Sequence, residues 1–212
     1  SPVGASVAFV CNSDSEPLSI KVDGAHAPAV VRRSSESELD GGFVARPRQI
    51  EIPGGKGPVY GLLYEPRNPD VRGPDGKLPP LIVSLHGGPT SAAPRGLKPA
   101  NLFFTSRGFA WLDLNYSGST GYGREYRLRL KGAWGGADGD DTVSAARFAA
   151  SEGIADPSAI FVTGGSAGGY TVLTTLANSR LFAGGASYYG ISDLIALQKT
   201  THKFEQGYQS WL

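Results

Sequence analysis

The sequence predicts an α/β protein in which a mostly parallel sheet carries helices on both faces. Three observations lead there. From about residue 48 onward, short apolar runs alternate with helical stretches, and such alternation builds parallel strands joined by helical crossovers. The runs Leu81-Ile82-Val83-Ser84-Leu85 and Ile160-Phe161-Val162-Thr163 are almost continuously apolar, as strands buried on both faces are. The pentapeptide Gly164-Gly165-Ser166-Ala167-Gly168 lies between the second run and a helical stretch, the strand–turn–helix setting of a G-x-S-x-G elbow.

In chain order, residues 1–33 read as short strands with polar turns: 6–11, then 18–22 after a break at 13–17, then 29–31. Such hairpins bury too little to stand alone. The polar stretch 34–42 reads as a linker, which divides the chain into segments 1–42 and 43–212. Two strands follow at 49–52 and 59–64, then a Gly/Pro-rich loop at 68–79, a strand at 81–85, a helix around 99–107 and a strand at 109–114. A helix begins near Asp138–Asp141, with Val143, Ala146, Phe148 and Ala149 on its apolar stripe. A strand at 160–163, a helix at 169–177 and a strand at 185–189 complete the pattern. With a serine elbow at the end of one strand, the expected architecture for 43–212 is the α/β-hydrolase fold.

Composition narrows the function classes. With 40% hydrophobic and 18% charged residues, the chain can bury a core. Its net charge of +1 gives no electrostatic case for nucleic acid. No stretch approaches the roughly 18 apolar residues of a membrane span. The lone Cys11 forms no internal disulfide and nothing points to an oxidising compartment, so a cytoplasmic protein is expected. The chain starts with Ser and contains no Met, and it reads as beginning inside a longer protein.

The elbow places Ser166 as a nucleophile, in a strained turn that tolerates only small neighbours. Upstream, strand 81–85 runs directly into His86-Gly87-Gly88-Pro89. Attack on a carbonyl develops negative charge on its oxygen. A backbone N–H from a Gly-rich loop, together with the N–H after the serine, accepts that charge, so Gly88 and Ala167 are the expected donors. Serine also needs a base, and the base a carboxylate, in the chain order Ser, Asp or Glu, His. Between Ser166 and His202 the only acid is Asp193, nine residues before that histidine and with no strand between them. The triad Asp and His are therefore expected beyond residue 212, which leaves this stretch an incomplete catalytic unit that associates with other polypeptide. His86 is expected to orient the oxyanion loop, and His26 to be a surface or turn residue. Asp138, Asp140 and Asp141 read as helix-capping carboxylates, since GADGDD lacks the terminal Glu of a calcium loop. Arg124, Glu125 and Arg127 read as a solvated face. No motif implies a metal or an organic cofactor.

Five stretches share their order and spacing with a known family: HGGP at 86–89, NYSGSTGYG at 115–123, WGGAD at 134–138, GGSAGGY at 164–170 and THKFE at 201–205. Across about residues 48–212 the chain resembles the prolyl oligopeptidase family of serine peptidases, especially its acylaminoacyl-peptidase and dipeptidyl-aminopeptidase-like branch. The resemblance implies that segment 1–42 is the end of a β-propeller plus linker. It implies further elements after 212 that bring the Asp and His, and short peptides as substrates, because the propeller caps the site. It also implies a pocket lined by Phe204, Tyr208 and Trp211, with Glu205 engaging a substrate's amino terminus. On the same fold, ester hydrolysis is the alternative chemistry. A homo-oligomer is a further expectation.

Overall fold

Strand pairing sorts the chain into two sheets. The computed structural model describes all residues except 1, 4–5, 24–27, 37–38, 202, 204 and 210; His26, His202 and Phe204 therefore lie outside the described residues. Strands β1 (Pro2–Val3), β2 (Ser6–Cys11), β3 (Ser19–Asp23) and β4 (Ala29–Arg33) pair in that order as an antiparallel meander. A four-stranded antiparallel sheet is the unit of a propeller blade. It leaves apolar side chains in the open, with Val7, Val10 and Val31 all more than half exposed.

The second sheet contains β5 (Arg48–Ile52), β6 (Val59–Tyr64), β7 (Leu81–Leu85), β8 (Ala110–Asn115), β9 (Ile160–Gly165) and β10 (Gly184–Tyr188). Its order is β10-β9-β7-β8-β6-β5. The four strands from β10 to β8 run parallel, while β6 and β5 are antiparallel. This is the mixed, mostly parallel sheet of an α/β-hydrolase. The central strands are the most apolar: every residue of β8 is buried, as are four of five in β7. Helix α1 (Pro99–Thr105) packs on β8; α3 (Ala137–Ser151) and α4 (Ala167–Asn178) pack on each other, α4 against β10, β9 and β7 and α3 against β7 and β5. Their core joins Val83, Leu112, Leu114, Ile160 and Val162 to Ala145, Ala146, Ala149 and Val172. Each buried Leu, Ile or Val contributes about 1.5–3 kcal/mol, and the alanines let α3 lie close to the sheet. The stripe differs from the expected one at Val143, which is only half-buried, while Ala145 fills the core position.

Three short helices escape the sequence pattern: α2 (Gly123–Leu128), α5 (Leu194–Thr200) and α6 (Gln206–Gln209). Arg124, Glu125 and Arg127 lie exposed on α2, around a buried Tyr126. The turn after β2 meets the loop before α1 where Leu97 N–H donates to the Ser13 carbonyl at 2.6 Å. Among the described residues no helix is long and apolar enough to cross a membrane.

Candidate active site

Ser166 sits in the sharp turn between β9 and α4, at φ 55° and ψ −120°. For a residue with a Cβ this left-handed conformation costs about 1–3 kcal/mol. Packing enforces it. A Cβ at Gly168 would lie 2.3 Å from the Leu85 carbonyl oxygen, and one at Gly164 would lie 2.9 Å from the same atom. Three backbone segments thus touch at the end of β7, where no side chain fits. Ser166 N–H donates to the Tyr188 carbonyl at 3.1 Å, which ties the turn to β10. A serine at a helix N-cap ordinarily spends its hydroxyl on a capping bond; Ser166 makes none and is exposed. The buried Ala167 begins α4, so its N–H has no partner within the helix.

The loop after β7 runs beside this turn. A Cβ at Gly87 would be 3.6 Å from the Ser166 Cβ and 3.4 Å from the Gly165 carbonyl oxygen. Gly88 follows at φ 126°, a conformation that favours glycine. His86 anchors the loop's start. Its ring stacks on Tyr116 at 4.4 Å, and its carbonyl accepts from the Tyr116 Oη at 2.7 Å. Its Nδ1 lies 2.8 Å from the Gly87 carbonyl and its Nε2 2.8 Å from the Ser119 Oγ. A carbonyl only accepts, so Nδ1 carries the proton, and the single proton of the Ser119 hydroxyl lies between Nε2 and the Tyr116 carbonyl, 2.7 Å away. Burial lowers the His86 pKa, which agrees with a neutral ring. Both nitrogens are engaged, so His86 orients the loop and does not take the serine proton.

The aspartates at the start of α3 correct the capping expectation. The N-cap position is Gly136, and Asp138 and Asp141 are only 0% and 4% exposed. Asp138 accepts from Gly135 N–H at 2.7 Å through Oδ1 and from the Thr171 hydroxyl of α4 at 2.5 Å through Oδ2. Asp141 accepts from Ser117 N–H at 2.7 Å. Burial raises the pKa of both carboxyls. They tie the 134–138 and 115–123 segments to α3 and α4; Asp140 alone stays exposed. Among the described residues no cluster of three His, Cys, Asp or Glu side chains is placed to hold a metal ion.

Of the four residues expected at a substrate pocket, Glu205, Tyr208 and Trp211 are described. Glu205 is exposed and accepts from the Thr201 hydroxyl at 2.7 Å. Tyr208 reaches the loop after β7: its Oη accepts from Thr90 N–H at 3.1 Å and shares a hydrogen bond with the Thr90 hydroxyl at 2.5 Å. Asp193 caps α5, accepting from the N–H groups of Ile195 and Ala196, each at 2.9 Å. Sequence reasoning missed Tyr116 and Ser119 as anchors of His86. It also missed Tyr189, which is 85% exposed at φ 41°, with its ring against Gly165 beside the serine. A non-glycine residue held in that region next to an elbow is visible only in three dimensions.

Comparison with known proteins matches this arrangement. Residues 97–212 match the prolyl oligopeptidase family. The chain is 34% identical to dipeptidyl peptidase family member 6 of Caenorhabditis elegans over 76% of its own length and 21% of that protein. It is 45% identical to the acylamino-acid-releasing enzyme of Arabidopsis thaliana over 48% of its length and 13% of that protein. The solved structure of a puromycin-hydrolyzing peptidase from Mycobacterium tuberculosis superposes with a TM-score of 0.94 at 38% identity, covering 99% of this chain and 33% of that one. The chain thus spans about a fifth or less of these curated relatives and a third of that structure. On its motifs, its sheet order and these likenesses, the chain belongs to the prolyl oligopeptidase family.

Proposed function

We propose that this chain carries the nucleophile of a serine peptidase that hydrolyses short peptides, of the aminopeptidase, acylaminoacyl-peptidase or dipeptidyl-peptidase type. One observation carries the reading: an exposed serine held at positive φ between a buried strand and a helix, alongside a glycine loop so near that a Cβ added at Gly87 would lie 3.6 Å from the Ser166 Cβ. The Ser166 Oγ attacks the peptide carbonyl, and the N–H groups of Gly88 and Ala167 receive the developing oxyanion. Such a donor is worth about 2.7–4 kcal/mol of barrier. Collapse expels the amine and leaves an acyl-enzyme, which water then hydrolyses.

Among the described residues neither His86 nor Asp193 is free to serve the serine, so the reading assigns base and carboxylate to neither of them. Phe204 and Glu205 contribute to the substrate pocket, with the Glu205 carboxylate suited to an amino terminus, while the Tyr208 hydroxyl is bound to Thr90. The domain boundary falls near residue 42. Edge strand β10, with Tyr188 59% exposed at its end, suits association with further polypeptide or a second copy. The single cysteine fits a cytoplasmic location. The relatives' names as peptidases favour an amide over an ester substrate.

The test compares p-nitroanilides of dipeptides and of N-acylated amino acids with matched esters, using the intact protein and its Ser166→Ala variant. The reading expects peptide anilides to be cleaved, with that activity lost in the variant. Brisk ester turnover with the anilides left intact would replace it with a carboxylesterase.

A further inference from the structure

The oxyanion loop is held at three places. At its start, Tyr116 and Ser119 fix His86. Just past its far end, Thr120 N–H donates to the Ser91 carbonyl at 2.7 Å. These two anchors come from one short segment, 116–120. The third comes from a different part of the chain: Tyr208, 118 residues away, binds both the N–H and the hydroxyl of Thr90 through a single oxygen. Tyr208 is itself well seated. Its ring stacks on Trp211 at 6.3 Å and 10°, the Trp211 carbonyl accepts from Gly132 N–H at 3.2 Å, and the Leu212 carbonyl accepts from Trp134 N–H at 3.4 Å.

We propose that Tyr208 is a positioning residue for the oxyanion loop, coupling the 205–212 segment to the donor at Gly88. The inference rests on the serine-peptidase reading above. Gly88, at φ 126°, has no side chain to hold it, and it lies two residues from Thr90. An oxyanion donor acts only if it is fixed before the charge develops, within about 0.5 Å of its working place. The Tyr208 hydroxyl supplies that restraint at Thr90, between the two points that segment 116–120 holds. It also couples the segment holding the pocket residues to the loop: a substrate that displaces Tyr208 displaces the donor as well.

The decisive variant is Tyr208→Phe in the intact protein, since it deletes both hydrogen bonds and keeps the ring on Trp211. The expected result is a kcat lowered on the order of tenfold, with KM within about twofold for any substrate. The loss is the same for substrates with small and large side chains. A peptidyl boronate, whose tetrahedral adduct occupies the oxyanion site, weakens by the same factor. Thr90→Ala gives a smaller loss in kcat, and adding it to Tyr208→Phe brings no further loss. It also serves as the readout should Tyr208→Phe fail to fold. A kcat equal to that of the unmodified protein would overturn the proposal. So would a rise in KM alone that varies with the substrate side chain, which would make Tyr208 a substrate contact. An unmodified protein without Ser166-dependent hydrolysis defeats the serine-peptidase reading, and this proposal with it. An active one that is indifferent to Tyr208→Phe defeats this proposal alone.

Discussion

The turn at 164–168 and the loop at 86–90 lie side by side, yet they are held by different means. Around Ser166 the restraint is backbone against backbone: Gly164 and Gly168 press on the Leu85 carbonyl, and Ser166 N–H is bound by the Tyr188 carbonyl. Around Gly88 most of the restraint is made by side chains from distant segments, through Tyr116, Ser119 and Tyr208, with one backbone bond from Thr120 N–H to the Ser91 carbonyl. The difference suits the two roles proposed for Ser166 and Gly88. A nucleophile needs one fixed position, and close-packed backbone supplies it with no tolerance for added atoms. An oxyanion donor held by hydroxyl groups can be adjusted one hydrogen bond at a time, each worth about 1 kcal/mol.

The largest expected effect breaks the backbone side of this contrast. Gly168→Ala puts a Cβ at 2.3 Å from the Leu85 oxygen, so a strand end or a helix start must move. It is expected to destabilise the fold by about 3 kcal/mol, read as a lower urea midpoint, and to remove reactivity at Ser166. A neutral result would mean that the three backbones are not in contact. Next is Ser166→Gly, which relaxes the turn at φ 55°. Stability is expected to rise by about 1 kcal/mol while hydrolysis disappears; a loss of stability would mean that the turn holds no strain.

The smallest effect sharpens the side-chain half. Burial holds the His86 pKa below its ordinary 6.5. Between the lowered value and 6.5 the unfolded chain binds more protons than the folded one, so stability rises with pH across that interval and levels off above it. His86→Gln should flatten the slope of Tm against pH below 6.5, whatever it does to the level. An unchanged slope would show that His86 titrates alike in both states.

The same contrast governs what could be read from the chain. Strands β7 and β9 were legible because their burial is written as unbroken apolar runs, and the elbow because its glycines adjoin its serine. Helix α5 was not legible, because it has no buried residue to set a period. Helix α2 has only Tyr126 buried in six residues, too little for a stripe. Asp138 and Asp141 were misread for a related reason: a carboxylate in a first turn looks like a cap until the neighbouring loops are known to fold over it. The clasp of Tyr208 on Thr90 joins segments that only the completed sheet brings together, and no local pattern carries it. Phe204 and His202 lie outside the described residues.

The most direct test of the central claim, that residues 164–168 hold a reactive serine, is fluorophosphonate labelling of the intact protein followed by peptide mapping. The account predicts one adduct, on Ser166, absent from Ser166→Ala. An adduct on another residue, or none on a protein that still cleaves peptide anilides, would contradict it.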